Sequence, residues 1–312
     1  MQGFVPEQWA LVLGGSSGIG LATADKLSRH GMSVCIVHRD RRGAMARIQP
    51  AFDAIAERGA GFRAFNLDAL SAEGRDAVLD GLAEAMRPAG RVRVLLHSIA
   101  CGNLKLLVPG RDDRPQAARE RLAQALGVDP VRLGEAVTTL FLEGDPSFAA
   151  LVDSPACDQD HLLENEDLAR TAQAMGTSLI DWVQAVHRRG LFASDARVFG
   201  LTSEGNRAAW PGYAAIAVAK AALEAAARAI AVEYGPHGVR CNILQPGATL
   251  TPAFGLIPGS HHVAAAALLK NPMRRLTTPE DVAGVICLLS TDEAGWINGA
   301  LIAVDGGERL GG

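Results

Sequence analysis

No segment of the 312 residues is both long and apolar enough to cross a bilayer. The most apolar stretch, 214–232, is interrupted by Lys220, Glu224 and Arg228. The N-terminus, MQGFVPEQWALVLGG, lacks the basic segment and long apolar core of a secretory signal, so none is expected. Cysteine is sparse. The five residues, Cys35, Cys101, Cys157, Cys241 and Cys287, are odd in number and form no CxxC pair, which argues against a disulfide framework or a zinc site and suits a reducing cytoplasm. Lysine and arginine are neither in excess nor gathered into a run. A nucleic-acid surface is therefore not expected, and at a net charge of −4 small molecules are the better-suited partners. Internal repeats and low-complexity tracts are also missing. What is present, 48% apolar and 21% charged residues, is the composition of a folded globular protein. The length exceeds that of the usual domain, yet α/β folds reach it as one unit, so the reading is a single domain over 1–312 that carries an insertion.

Over the first hundred residues strand-like and helix-like segments alternate. An apolar run at 10–13 leads through a Gly/Ser turn to a helical pattern at 18–30, then a β-branched run at 33–37. Helical patterns at 43–58 and 72–86 are each followed by a strand-like run, at 62–67 and 92–96. The rhythm returns late, with strands at 196–201, 239–245 and 300–305 and helices at 212–234 and 279–290. This alternation predicts an α/β fold, a doubly wound parallel sheet of Rossmann type with helices on both faces. Residues 102–165 break the pattern with Pro109, Pro115, Pro130, Pro146 and Pro155 and with helix-like pieces at 115–126 and 130–142; they read as a mainly helical insertion.

The segment Gly14-Gly15-Ser16-Ser17-Gly18-Ile19-Gly20 follows the first strand and opens a helix. Glycines at 14, 18 and 20 allow a tight turn and let backbone N–H groups approach a pyrophosphate at the positive helix end. A bare structural turn would look similar, but its place between strand and helix favours a dinucleotide. The adenosine side is read at the end of the second strand, in His38-Arg39-Asp40-Arg41-Arg42. Arg39 and the arginines that follow favour a 2′-phosphate, hence NADPH, while Asp40 keeps NADH open. Asp68, after the third strand, is suited either to the adenine edge or to capping the strand end.

At the other end of the cofactor the sequence resembles the short-chain dehydrogenase/reductase superfamily. The resemblance rests on 14–20, Asp68, His97-Ser98-Ile99-Ala100, Ser203, Tyr213 with Lys220, and Asn242-Ile243-Leu244-Gln245-Pro246-Gly247 with Thr251. In most of that superfamily the catalytic tyrosine lies four residues before the lysine. Here that position is Ile216, and the tyrosine lies seven before. Tyr-x6-Lys, together with the His97-Ser98-Ile99-Ala100 run, resembles the enoyl-acyl-carrier-protein reductase branch. Seven helical residues make nearly two turns, so Tyr213 and Lys220 share a face about 10 Å apart along the axis, and the shift from the usual position moves the tyrosine backbone by about 4.5 Å.

The resemblance implies a reductase of fatty acid biosynthesis whose substrate is an enoyl thioester on acyl carrier protein or coenzyme A. Hydride reaches the β-carbon, Tyr213 hydrogen-bonds the developing enolate oxygen, and Lys220 holds the nicotinamide ribose and lowers the proton affinity of the tyrosine. Cofactor contacts are implied for Gly14, Ser16, Ser17, Gly18, Ile19, Gly20, Arg39, Asp68, Ser98, Ile99, Ala100, Lys220, Pro246, Gly247, Thr249 and Thr251. Ser203 stands where ketone-reducing relatives carry a catalytic serine. It either shares the substrate oxygen with Tyr213 or caps its strand, and it keeps a carbonyl reductase of 3-oxoacyl type open. A silent nucleotide-binding protein is a third reading, against which the presence of both Tyr213 and Lys220 argues. Lys220 could instead be a surface residue paired with Glu224 at i+4. Around Phe254, Leu256 and Ile257, residues 250–272 are expected to form either a mobile substrate loop or a packed surface segment. His261 and His262 point about 100° apart on a helix with no carboxylate at a useful spacing, so no metal is expected. The insertion begins where ligands bind and is either a lid over the pocket or a surface or oligomer contact. Ala-rich helices at 168–189 and 214–234 resemble those that pair relatives, so a dimer or homotetramer is expected.

Overall fold

The computed structural model describes residues 3–58, 60–86, 88–110, 114–153 and 160–311; Pro155 and Cys157 lie outside them. Seven parallel strands form one sheet: β1 (Gln8–Leu13), β2 (Ser33–His38), β3 (Phe62–Asn66), β4 (Arg91–His97), β5 (Phe192–Leu201), β6 (Val239–Pro246) and β7 (Leu301–Val304). Their order is β3-β2-β1-β4-β5-β6-β7, which reverses direction between β1 and β4. Helices α1 (Gly18–Arg29), α2 (Arg42–Ala56) and α3 (Ala72–Met86) connect the first four strands.

Because both faces of a parallel sheet are covered, its inner strands are apolar throughout rather than alternating. β1 shows how they divide their side chains. Leu11 and Leu13 join Leu79 and Leu82 of α3 on one face, while Ala10 and Val12 join Leu27 of α1 and Phe52 of α2 on the other. α8 (Ala214–Glu233) and α7 (Ser178–Arg188) cover the first face with Leu223, Ile230 and Trp182, and α10 (Pro279–Leu289) covers the second with Val282 and Ile286.

The predicted helix over 168–189 is in fact three pieces: α6 (Asn165–Ala172), a π-helical turn (Gln173–Thr177) and α7. The π turn packs against α8, with its Ala174 and Met175 in one apolar cluster with Ile216 and Ala219 of that helix. β5 starts four residues before the predicted 196, because Phe192 already pairs with Val92 of β4. Between β4 and α6 lie α4 (Arg114–Leu126), α5 (Pro130–Leu142) and a short 3-10 segment, Pro146–Leu151. Asp129 caps α5 by accepting from the amides of Val131 and Arg132, with Pro130 at the first helical position. These pieces make a small apolar cluster of Val137, Phe141, Val152 and Ala265, the last from α9 (Ser260–Lys270). The region 250–272 therefore holds a helix packed on the 102–165 segment. No helix among the described residues is long and apolar enough to cross a membrane.

Candidate active site

Parallel sheets bind ligands beyond the carboxyl ends of their strands, at the point where strand order reverses. The sequence-predicted residues gather along that edge: 14–20 after β1, Arg39 after β2, Asp68 after β3, 98–100 after β4, Ser203 after β5, and 246–251 at and after β6. The turn after β1 passes against β4. Gly14 has φ +82°, and a Cβ there would lie 2.5 Å from the carbonyl oxygen of Ser98; at Gly20 it would lie 2.2 Å from that of Gly14. Ser17 caps α1 in extended conformation without a side-chain hydrogen bond, and the first turn holds no acidic residue. The leading N–H groups of α1 are thus left for an anionic ligand, which fits the diphosphate of a nicotinamide dinucleotide.

At the adenosine end, Asp40 is turned away. Its carboxylate accepts from His38 Nδ1 at 2.9 Å, and its amide donates to Asn66 Oδ1 at 3.0 Å. Arg39 stays exposed, with its guanidinium 3.3 Å from Asp68 and 3.7 Å from Cys101 Sγ. Asp68 also accepts from the Leu70 amide at 2.9 Å, so it caps the turn as well as facing Arg39. Such an exposed pair is weak and leaves the guanidinium available to a phosphate.

Tyr213 is the N-cap of α8 rather than a residue of its first turn. Its hydroxyl lies 3.1 Å from Ser203 Oγ, and Trp210 meets its ring edge-on at a centroid distance of 5.6 Å. Ala174 and Met175 of the π turn, with Ile216 and Ala219 of α8, enclose the ring, and Leu70, Leu104 and Ile257 pack against them. Ile216, at the superfamily's usual tyrosine position, is a buried part of this apolar wall. Leu104 and Met175 were not identified in the sequence. A lone leucine after the β4 motif and a methionine on an unforeseen π turn carry no periodic signal there.

Lys220 is only 7% exposed and makes no hydrogen bond or ion pair to any described residue. Its anticipated partner Glu224 is taken by the Thr202 hydroxyl at 2.6 Å and by the amide of Asn206. Burial pushes the Lys220 pKa down to about 8. Lowering of the Tyr213 proton affinity by Lys220 is not the dominant effect in the ligand-free chain. Burial raises the Tyr213 pKa, offset only in part by the Ser203 hydrogen bond. The phenol is therefore a neutral O–H donor at physiological pH. His97 ends β4, fully enclosed. Ser178 Oγ donates to Ala174 O at 3.1 Å and so accepts from His97 Nε2–H at 2.8 Å. Burial, then the nearby Lys220 charge, holds the His97 pKa at about 3, so the imidazole is neutral. His262 donates to Val152 O at 3.1 Å and stacks on Phe141, which joins α9 to the 102–165 segment.

Residues 148–308 match a family model described as "Enoyl-(Acyl carrier protein) reductase", and residues 8–108 one described as "short chain dehydrogenase". Among curated proteins, the chain is 26% identical over 306 residues to "Short-chain reductase protein NovJ" of Streptomyces niveus, covering 96% of this chain and 94% of that protein. It is likewise 26% identical to "A-factor type gamma-butyrolactone 1'-reductase (1S-forming)" of Streptomyces virginiae, covering 98% and 97%. Among solved structures, a dehydrogenase/reductase from Sinorhizobium meliloti 1021 superposes with a TM-score of 0.70 at 21% identity, covering 98% and 96%. A short-chain dehydrogenase from Burkholderia cenocepacia J2315 in complex with NADP has a TM-score of 0.69 at 22% identity, covering 97% and 98%.

Proposed function

This chain belongs to the short-chain dehydrogenase/reductase superfamily, and from that premise we propose that it reduces the carbon–carbon double bond of an enoyl thioester, carried on acyl carrier protein or coenzyme A, with NADPH. As a member it is an oxidoreductase that uses a nicotinamide cofactor. When bound, the nicotinamide supplies a hydride. The amides of 14–20 and the free end of α1 hold the diphosphate, with Ser16, Ser17 and Ile19 lining the turn. Arg39 meets the 2′-phosphate and Asp68 the adenine edge. Ser98, Ile99 and Ala100 line the nicotinamide side, and Lys220 donates to the ribose hydroxyls. Pro246, Gly247, Thr249 and Thr251 shape the turn that meets the carboxamide.

The observation that carries the reading is the pair formed by Tyr213 and Ile216. The position from which a tyrosine would serve a carbonyl carbon is an alkyl side chain. The phenol stands at the helix cap, neutral and protonated, one turn away. A donor displaced in this way suits charge that develops on an oxygen remote from the carbon being reduced, as in the enolate of a thioester. The apolar wall of Met175, Leu104 and Ile257 suits an acyl chain, and it excludes water from the developing charge.

One contact favours a second reading. Ser203 Oγ, 3.1 Å from the phenol, forms with it a two-hydroxyl site able to hold the oxygen of a 3-oxoacyl thioester. Following NADPH oxidation with 2-enoyl and 3-oxo thioesters in parallel separates the two. The enoyl substrate alone turns over on the first reading, and Tyr213→Phe lowers its kcat by at least 100-fold while Ser203→Ala lowers it by less than tenfold. Turnover of the 3-oxo substrate alone overturns it.

We assign 1–312 to a single Rossmann-type domain with 102–165 inserted as a lid, on the ground that α5 and the 3-10 segment after it pack on α9, with α4 against α5. The assembly is proposed as a cytoplasmic homotetramer, for which sedimentation is the check.

A further inference from the structure

A buried carboxylate takes no part in the chemistry above. Glu308 lies just past β7, after the turn Asp305-Gly306-Gly307, and is 7% exposed. Its two carboxylate oxygens lie 3.1 and 3.2 Å from the backbone amide of Ala248, which donates to them. Ala248 sits in the middle of the turn that leaves β6. The approach is close enough to dictate the residue before it. A Cβ on Gly247 would lie 2.5 Å from Glu308 Oε2 and 2.7 Å from Thr277 Oγ1. The rest of the turn is tied by backbone, with Gly247 N donating to Val304 O at 3.2 Å and Thr277 N to Ala248 O at 3.2 Å. Three charged groups act on the carboxylate, and a fourth pairs with one of them. Glu204, after β5, and Asp305 repel its charge, Lys270 of α9 attracts it, and Arg309 is drawn to Asp305 at 3.5 Å. Burial raises the Glu308 pKa above the usual glutamate value, opposed first by the Ala248 amide; the charges of Glu204 and Asp305 add to the rise and that of Lys270 lowers it.

We propose that Glu308 is a positioning residue for the nicotinamide cofactor: its carboxylate holds the turn at 246–249 in the shape that meets the carboxamide, and protonating it loosens cofactor binding while leaving the chemical step alone. The proposal rests on the assignment of that turn to the carboxamide. An ionised carboxylate binds an amide more strongly than a neutral acid or amide does, so the grip weakens as pH falls, and the raised pKa moves that weakening toward neutrality.

The test is a fluorescence titration of NADPH onto the full chain without acyl substrate, for wild type, Glu308→Gln, Glu308→Ala and Arg39→Ala, from pH 8 down to pH 4.5, the ordinary glutamate value. Glu308→Gln keeps an acceptor for the Ala248 amide in the same volume, so it folds even if the alanine variant does not. Its Kd exceeds that of wild type by about fivefold at the alkaline end, and the ratio falls toward one at the acid end as wild-type Glu308 protonates. Titration of the cofactor's own phosphate is common to both proteins and cancels in the ratio. At saturating NADPH the kcat of Glu308→Gln stays within about twofold of wild type. A ratio near one at every pH, or one above one that does not change with pH, overturns the proposal. Arg39→Ala separates this from failure of the cofactor assignment. Weaker binding in that variant beside unaltered Glu308 variants sinks the role of Glu308 alone, whereas unaltered binding in all of them also sinks the assignment of the cofactor's two ends to Arg39 and the 246–249 turn, and no binding to wild type sinks the cofactor reading itself.

Discussion

Lys220 shows what the site costs at the scale of one residue. Its ammonium group is buried without a partner among the described residues, and burial pushes its pKa down to about 8. In the folded chain the group gives up its proton more easily than at the ordinary lysine value of 10.5, so between about pH 8 and 10.5 the unfolded state binds more protons. Below about pH 8 the full penalty is present. Lys220→Met is therefore expected to raise the stability of the ligand-free protein at pH 7 by on the order of 1–3 kcal/mol while abolishing turnover. In denaturant titrations the gap between variant and wild type should narrow as pH rises from 8 toward 10.5. A methionine variant no more stable than wild type contradicts this account. The spacing of Tyr213 and Lys220 was legible in sequence because it is a matter of helical geometry. The sign of the tyrosine's pKa shift was not, since it depends on Met175, Ile216 and Leu104 closing over the ring from three parts of the chain.

Among the elements, the inner strands were the easiest to read. Continuous apolar runs such as 33–37 have one use in an alternating chain, as strands covered on both faces. The helical stretch over 168–189 was legible, but its π turn was not, because nothing local marks one. Gln173 to Thr177 include no proline, and the distortion answers to the packing of α8. The 102–165 segment was legible as helices, with Asp129-Pro130 marking the start of α5, but its seat on α9 was not. That contact is made by Phe141 and His262, whose ring centroids lie 4.8 Å apart, and by the bond from His262 to Val152 O. If α4, α5 and α9 act together as a lid, Phe141→Ala destabilises that cluster by about 1–3 kcal/mol. It should raise KM for long acyl thioesters several-fold and leave the Kd of NADPH unchanged. Equal effects on short and long chains, measured by steady-state kinetics, assign the segment to the surface instead. Deleting 108–158 is the larger version of the same experiment, and an unchanged KM across chain lengths removes the lid.

The whole molecule separates its stability from its chemistry at opposite ends of the sheet. Across β4, β5 and β6, away from the carboxyl edge, Arg93, Arg197 and Arg240 converge on Asp195, with Arg93 also 2.7 Å from Asp292. Backbone carbonyls of Leu289, Ser290 and Thr291, at and just beyond the end of α10, take further guanidinium bonds. Burial pushes the Asp195 carboxyl up, but the hydrogen bonds and charges of Arg197 and Arg93 outweigh it and hold it low. Asp195→Ala takes from Arg197, 1% exposed, its carboxylate partner and leaves Arg93, 3% exposed, with Asp292 alone; it is expected to cost about 3–5 kcal/mol, with KM and kcat unaltered below the new melting temperature. A thermal melt paired with a saturation curve checks both halves. The sequence does not announce this cluster, because its members lie on strands that become neighbours only through the β4-β5-β6 pairing. The alternation of elements did announce the sheet, and with it the edge on which the site is built.

The account turns on where the hydride lands while Tyr213 steadies an oxygen some atoms away. Incubating the protein with a 2-enoyl thioester and NADPH deuterated at the transferable position, then locating the label by NMR, reads this directly. The account predicts deuterium at C3 of a saturated acyl thioester, with the yield lost in Tyr213→Phe. Label found only on the carbinol carbon of a 3-hydroxyacyl product, formed from a 3-oxo substrate while the enoyl thioester is left intact, contradicts it.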